Sequence, residues 1–203
     1  MAASLASLLR EVDDFLMGES KVHVTLSRIA RCFDELGIDF ALVGGLAVGV
    51  RGHVRLTVDV DILITAEGLS RFKSQYMGRG YVERSPTSRR VRDTETGVSI
   101  DFLVAGEFPG DGRPKPVRFP DPATVGRTED SWRVIDLRTL VELKLASGIS
   151  APDRLQDLAD VIALIRVNRL EESYGERLDA SVRVKFRELW IAAQGTSQPG
   201  RQG

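Results

Sequence analysis

The chain has 203 residues, of which 42% are hydrophobic and 28% charged, with one cysteine and eight prolines. These proportions suit a soluble globular fold and exclude disordered, collagen-like and disulfide-scaffold classes. Lys+Arg number 28 and Asp+Glu 29, a formal net charge of −1, so no bulk basic field marks the chain as a nucleic-acid binder.

The first 37 residues read as two amphipathic helices. Leu5, Leu8, Leu9, Val12, Phe15 and Leu16 recur at helical spacing up to Gly18. No basic region opens this segment, and Glu11, Asp13 and Asp14 follow at once, unlike a secretory leader. Ser20 suits the N-cap of a second helix, with Val22, Leu26, Ile29, Ala30, Phe33 and Leu36 as its apolar stripe and Gly37 as its stop. Cys32 lies beside that stripe as a small hydrophobe, and a lone cysteine fits a reducing, cytoplasmic compartment.

A strand is expected at 39–43, ending at Gly44-Gly45, then a short helix at 46–50. The apolar run 40–50 is broken by three glycines and falls short of the about 20 residues a membrane span needs. Residues 55–64 alternate as one long strand. Leu56, Val58, Val60 and Ile62 form the face to bury, and Arg55, Thr57, Asp59 and Asp61 the opposite one. A helix capped by Thr65 follows, then strands at 80–84, 89–92 and 98–104, the last two joined by a turn at 93–97.

The Pro- and Gly-rich stretch 106–121 reads as a long loop, functional or mobile. A strand at 132–135 leads to a helix at 137–147 stopped by Gly148. Asp153 suits the cap of a helix at 154–167 with Leu155, Leu158, Val161, Ile162 and Ile165 as its stripe, and a last helix spans 181–193. The order implies an α+β fold with a mixed α/β sheet: N-terminal helices at 1–37, a core at 38–135, a C-terminal helical subdomain at 136–193 and a disordered tail at 194–203.

The chemistry concentrates in Val43-Gly44-Gly45, thirteen intervening residues, and Asp59-Val60-Asp61-Ile62. Two residues apart on a strand, Asp59 and Asp61 share a face with Cα atoms about 6.6 Å apart. At an effective dielectric of about 20, their repulsion is about 2.5 kcal/mol. A divalent cation between them offsets that cost, and Mg²⁺ typically uses one or two carboxylates plus substrate phosphates. Arg55 neutralising a solvated acidic face is the plainer alternative. The glycine pair lets backbone N–H groups approach a ligand closely, which suits phosphate. Asp101 stands on the polar face of an otherwise apolar strand and needs a partner, either a shared metal or an arginine. Three convergent carboxylates would form the ligand set of a phosphoryl- or nucleotidyl-transfer site.

Val43-Gly44-Gly45, Asp59-Val60-Asp61-Ile62 and Ile100-Asp101 together resemble the DNA polymerase β-like nucleotidyltransferase superfamily. Arg55, Thr57, Asp59 and Asp61 in alternation are similar to the variant in bacterial antibiotic nucleotidyltransferases and in toxin-like branches. Leu143-Lys144-Leu145-Ala146 followed by Arg154, Asp157 and Asp160 is similar to a second, looser motif of the toxin-like branch. The resemblance implies a nucleotidyltransferase fold and transfer of a nucleoside monophosphate from ATP or another nucleoside triphosphate to an acceptor hydroxyl, releasing pyrophosphate. It implies Mg²⁺ or Mn²⁺ on Asp59, Asp61 and Asp101. Gly44, Gly45, Arg55 and Thr57 would lie on the nucleotide, with Lys144 near the triphosphate and Asp157 orienting it or the substrate. The implied acceptor is tRNA, a protein or a small hydroxylated molecule such as an antibiotic, with a cognate antitoxin as a further partner in the toxin-like case. A non-catalytic module binding nucleotide or a protein is the rival class. Ser commonly replaces the second glycine in this superfamily; here Gly45 offers only backbone.

Arg84, Arg89, Arg90 and Arg92 around the second hairpin read as a solvated surface or as contacts to nucleotide or a polyanionic acceptor. His23 and His53 are not at metal-ligand spacing, and Trp132 and Trp190 read as core or interface anchors.

Overall fold

A computed structural model describes residues 20–129 and 132–195. The helix expected at 5–16 and the tail from 196 lie outside them. Ser20 caps α1 (Lys21–Leu36) by accepting from the His23 N–H, and Gly37 closes it in the left-handed conformation at φ 59°. There follow β1 (Phe40–Leu42), α2 (Gly44–Val50), β2 (Asp59–Ile64), α3 (Ala66–Tyr76), β3 (Tyr81–Glu83), β4 (Arg90–Asp93) and β5 (Ser99–Val104). Then come α4 (Pro122–Val125), β6 (Gly126–Glu129), β7 (Trp132–Ile135), α5 (Leu137–Ser150), α6 (Leu155–Val167), a 3₁₀ turn (Glu172–Arg177) and α7 (Ala180–Gln194).

Seven strands form one mixed sheet in the order β3-β4-β5-β2-β1-β7-β6. β2 runs parallel to β5 and antiparallel to β1, and β7 runs parallel to β1. The face against α1 and α3 is aromatic. Phe33 lies 5.0 Å from Phe40 and 5.4 Å from Phe72 by ring centroid, and Phe102 lies 5.6 Å from Phe72. Because side chains alternate, Phe102 on that face puts its neighbour Asp101 on the other. The parallel register then sets Asp101 beside Asp61. The acids therefore stand on the face away from α1 and α3, and the C-terminal helices close over them.

Three expectations give way. The strand at 55–64 begins only at Asp59, because β5 starts opposite Asp59 at Ser99 and β1 pairs no further than Ile62. Without a partner strand, Leu56 and Val58 have nothing to bury against and are 52% and 79% exposed. Gly148 does not stop its helix: α5 runs through it to Ser150, since a Cβ there would lie 2.5 Å from Leu158 Cδ2 and the glycine admits α6 at close range. Asp153 caps nothing. The N-cap of α6 is Arg154, without a side-chain bond, and the inner face of α6 is Asp160, Val161, Leu164 and Ile165, with Leu155 exposed. The loop at 106–121 is pinned by Lys115, whose ammonium donates to Pro109 O at 2.6 Å and to Ser150 Oγ at 2.8 Å. Strand β6 and the 3₁₀ turn carry no alternation that marked them in the sequence. Among the described residues, no helix is long and apolar enough to cross a membrane.

Phe33 is fully buried and touches the rings of Phe40, Phe72 and Phe102. Phe33→Ala should cost about 3–5 kcal/mol, a fall in Tm of roughly 10 °C, measured by thermal denaturation.

Candidate active site

A cleft of about 770 Å³ lies between the acid-bearing face of the sheet, helices α5 and α6, and the loop after β5. That size is ordinary for a small-molecule site. Gly44, Gly45, Arg55, Thr57, Asp59, Asp61, Asp101, Lys144 and Asp157 all line it, so the residues that the resemblance implies for metal and nucleotide come to one place.

Asp59, Asp61 and Asp101 each offer one oxygen within 4.8 Å of the other two. At that separation each pair of charges repels by roughly 3 kcal/mol at an effective dielectric of about 20. Asp61 registers the strain most. Burial first, then the charges of Asp59 and Asp101, push its pKa up to about 6, against the pull of Lys144 and the Gly45 N–H. A set of hard oxygen donors, of which Asp101 alone is paired with a cation among the described residues, Arg90, fits Mg²⁺ or Mn²⁺.

The glycine elbow is shaped by Asp61. Gly44 sits at φ 60°, and a Cβ on it would lie 1.7 Å from Asp61 Oδ2. Both the backbone conformation and the contact require glycine. Gly45 turns its N–H to the Asp61 carboxylate, and a Cβ there would meet Thr57 at 3.0 Å. Thr57 in turn donates to Asp59 Oδ1 at 2.9 Å and holds that side chain on the sheet face.

The opposite wall is a buried charge network centred on Asp160, which is fully buried. Arg55 grips it with Nε at 2.9 Å from Oδ1 and Nη2 at 3.1 Å from Oδ2. Lys144 Nζ lies 2.7 Å from Asp160 Oδ2 and 2.9 Å from Asp157 Oδ1. Ser147 Oγ donates to the second oxygen of Asp157 at 2.7 Å. Burial would raise the Asp160 pKa, but Lys144, Arg55 and Gln156 outweigh it and hold the carboxyl below its usual value. Lys144 is therefore a fixed cation rather than a mobile one. Arg55 does not neutralise Asp59 and Asp61 as a plain polar face would have it; it bridges the glycine elbow to α6. Arg154 makes no pair with Asp157, whose oxygens are taken by Lys144 and Ser147.

Sequence reasoning missed the central part of Asp160, because a carboxylate three residues after another on a helix also describes a solvated face. Two of the four hairpin arginines, Arg89 and Arg90, line the cleft. Arg90 pairs with Asp101, and Arg89 with Glu107. Arg92 is spent on Gly97 O at 2.9 Å. Phe108 and Phe119 of the anchored loop supply apolar wall. His23 belongs to the cap of α1, bonded to Ser20 Oγ at 2.8 Å. Neither His23 nor His53 lines the cleft. Cys32 is half-buried near the Tyr81 hydroxyl, and Trp190 donates to Leu170 O.

No protein-family profile and no curated protein matches the chain in sequence. Solved structures similar to it include two named as putative nucleotidyltransferases, from Thermotoga maritima and Helicobacter pylori. The solution structure of the antibiotic-resistance factor ANT(2'')-Ia has 14% identity and a TM-score of 0.49, over 84% of this chain and 91% of that one. The crystal structure of ANT(2'')-Ia with adenylyl-2''-tobramycin gives 14% and 0.48, over 86% and 98%. JHP933 from Helicobacter pylori gives 15% and 0.45, over 84% and 90%. Likeness this remote leaves function to the geometry of the cleft.

Two outcomes follow from the charges. With its pKa raised to about 6, folded Asp61 keeps a proton that the unfolded chain loses near 3.8. The stability this gives is full below about pH 4 and is lost as pH rises through 6. In EDTA, the Tm advantage of Asp61→Asn over the wild type should therefore grow from pH 4.5 to pH 7. An advantage that stays flat across that range would contradict the raised pKa. Asp160→Ala leaves Lys144 and Arg55 without their shared anion and should destabilise by about 3–5 kcal/mol in chemical denaturation.

Proposed function

We propose that the chain is a metal-dependent nucleotidyltransferase, moving a nucleoside monophosphate from a nucleoside triphosphate to an acceptor hydroxyl with release of pyrophosphate. The observation that carries this reading is the convergence of Asp59, Asp61 and Asp101, from two parallel neighbouring strands, at one wall of a cleft whose facing wall holds Arg55 and Lys144.

Asp59, Asp61 and Asp101 would hold Mg²⁺ or Mn²⁺. When bound, such ions neutralise phosphate charge and stabilise the attacking and leaving oxygens of an in-line displacement. The protein's own groups do the rest. Gly44 and Gly45 fix Asp61 in place by backbone contact, and Thr57 fixes Asp59. Lys144 commits two of its three N–H donors to Asp157 and Asp160 and keeps one for an incoming phosphate oxygen. Arg55, oriented by Asp160, presents its remaining guanidinium edge beside Gly45. A cation held rigidly before the substrate arrives costs no reorganisation during the reaction. Asp101, on the cleft side of β5, would accept the proton of the acceptor hydroxyl.

A small hydroxylated acceptor is favoured because Phe108, Pro109, Gly110 and Phe119 of the anchored loop line a cleft of about 770 Å³. Action on tRNA or a protein, with a cognate antitoxin, is the second reading; Arg89 and Arg90 at the cleft rim are the observation that favours it.

The test is pyrophosphate release from each nucleoside triphosphate with Mg²⁺ or Mn²⁺, against aminoglycosides, tRNA and protein acceptors. Turnover should require the metal and fall at least 100-fold in Asp59→Ala and Asp61→Ala, with folding retained. Nucleotide binding without turnover on any acceptor would instead assign a non-catalytic binding module.

A further inference from the structure

Arg90 stands directly opposite Asp101 in the antiparallel pairing of β4 with β5, while Asp61 flanks Asp101 on the parallel side. Its guanidinium takes both oxygens of Asp101, Nε–H to Oδ1 and Nη2–H to Oδ2. The third carboxylate of the trio is thus closed off by a bidentate fork, whereas Asp59 and Asp61 are not paired with any cation among the described residues at salt-bridge distance. The Arg90 side chain is 61% exposed and that of Asp101 25%. A pair this open to water is worth at most about 1 kcal/mol. A divalent ion among three crowded carboxylates gains far more, since it removes each of their mutual repulsions. The arginine is the partner that yields. It yields at the rim of the same cleft, where it lines the wall with Arg89.

From this we infer that Arg90 serves two anions in turn: Asp101 while the acids hold no ion, and the phosphate chain of the nucleotide once they do. The inference rests on the proposed nucleotidyl-transfer reading and names a group within it. Arg90 works as a counter-ion that lets the trio exist before loading. It then moves to the charge the loaded site brings in. Ion and nucleotide binding are coupled through it: the ion releases the guanidinium, and the nucleotide uses it. Arginine suits both tasks, because its planar fork matches carboxylate and phosphate alike. The backbone under it is steadied independently. Ser88 Oγ accepts from the Arg90 N–H at 3.0 Å and donates to Arg90 O at 2.8 Å, so the side chain can swing without moving the strand.

The test is calorimetric and needs no turnover. Mn²⁺ is titrated into the full-length wild type, Arg90→Gln and Arg90→Lys. Tripolyphosphate, which carries the phosphate chain without a base, is then titrated into each Mn²⁺-loaded protein. Because Arg90 is exposed, the variants should keep a Tm within a few degrees of the wild type. Arg90→Gln should bind Mn²⁺ about two- to fivefold more tightly, the factor expected when a surface ion pair no longer competes. It should bind tripolyphosphate about tenfold more weakly, as expected when a charge-assisted hydrogen-bonding partner is lost. Arg90→Lys should fall between the two in both titrations. Mn²⁺ affinity that is unchanged or weaker in Arg90→Gln overturns the inference while leaving the transferase reading intact, and so does unchanged tripolyphosphate affinity. A wild type that binds no Mn²⁺ overturns both.

Discussion

Asp61 and Gly44 occupy what would be the same space if residue 44 had a side chain. The Asp61 carboxylate lies where a Cβ would stand, and the backbone at Gly44 takes a left-handed turn to allow it. The end of β1, the start of α2 and the position of the central acid are therefore one constraint. Val43 reinforces it, donating its N–H to Asp61 O at 3.1 Å so that the elbow is paired to β2 at the acid itself. Moving Asp61 means moving the strand, and the strand is held on its other side by β5 with Asp101 in register. The close approach of three charges is built into the sheet and is not a choice of rotamer.

A sheet that forces carboxylates together needs opposite charge nearby; the helical third provides Lys144, and the loop before β2 provides Arg55. Lys144 and Arg55 do not touch the trio; Asp160 and Asp157 hold them on the facing wall. Were they free to fold onto Asp59 and Asp61, the acids would be neutralised by the protein and lost to a cation. Buried ion pairs of this kind contribute little net stability, because desolvation offsets the attraction. Their value here is placement. The fully buried Asp160 sets two cations at fixed positions across about 770 Å³ of open cleft.

How much of this the sequence carried depends on the range of each interaction. Asp59 and Asp61 follow from alternation along one strand, and Asp101 from the same rule applied to another; neither needs tertiary knowledge. Thr65, Ser20 and Gly37 mark helix ends through local hydrogen bonding and are equally local. The failures are all non-local. Leu56 and Val58 alternate as well as Val60 and Ile62 do, yet strand formation requires a neighbour, and none extends that far. Gly148 looks like a stop until Leu158 is seen packed against it. Asp153 has the right chemistry for a cap, but it opens on the cleft, and the chain enters α6 through Arg154. Arg90 is indistinguishable from Arg84, Arg89 and Arg92, as solvated surface or as a contact to a polyanion, until the β4–β5 register sets it against Asp101.

The near-zero net charge of the chain conceals this arrangement, because the cleft is locally polarised in layers. Acids line the sheet face, Lys144 stands on the helical side, Arg55 from the loop before β2 is tied to that side by Asp160, and Arg89 and Arg90 are each tied to an acid. This layering sets Lys144 and Arg55, both held by Asp160, against the acids of the sheet. It also explains why the elbow gives up side chains at residues 44 and 45. Any atom there would be spent inside the protein, displacing Asp61 or pressing on Thr57 and Arg55, and the acid wall would lose the alignment with β5 on which the layered field depends.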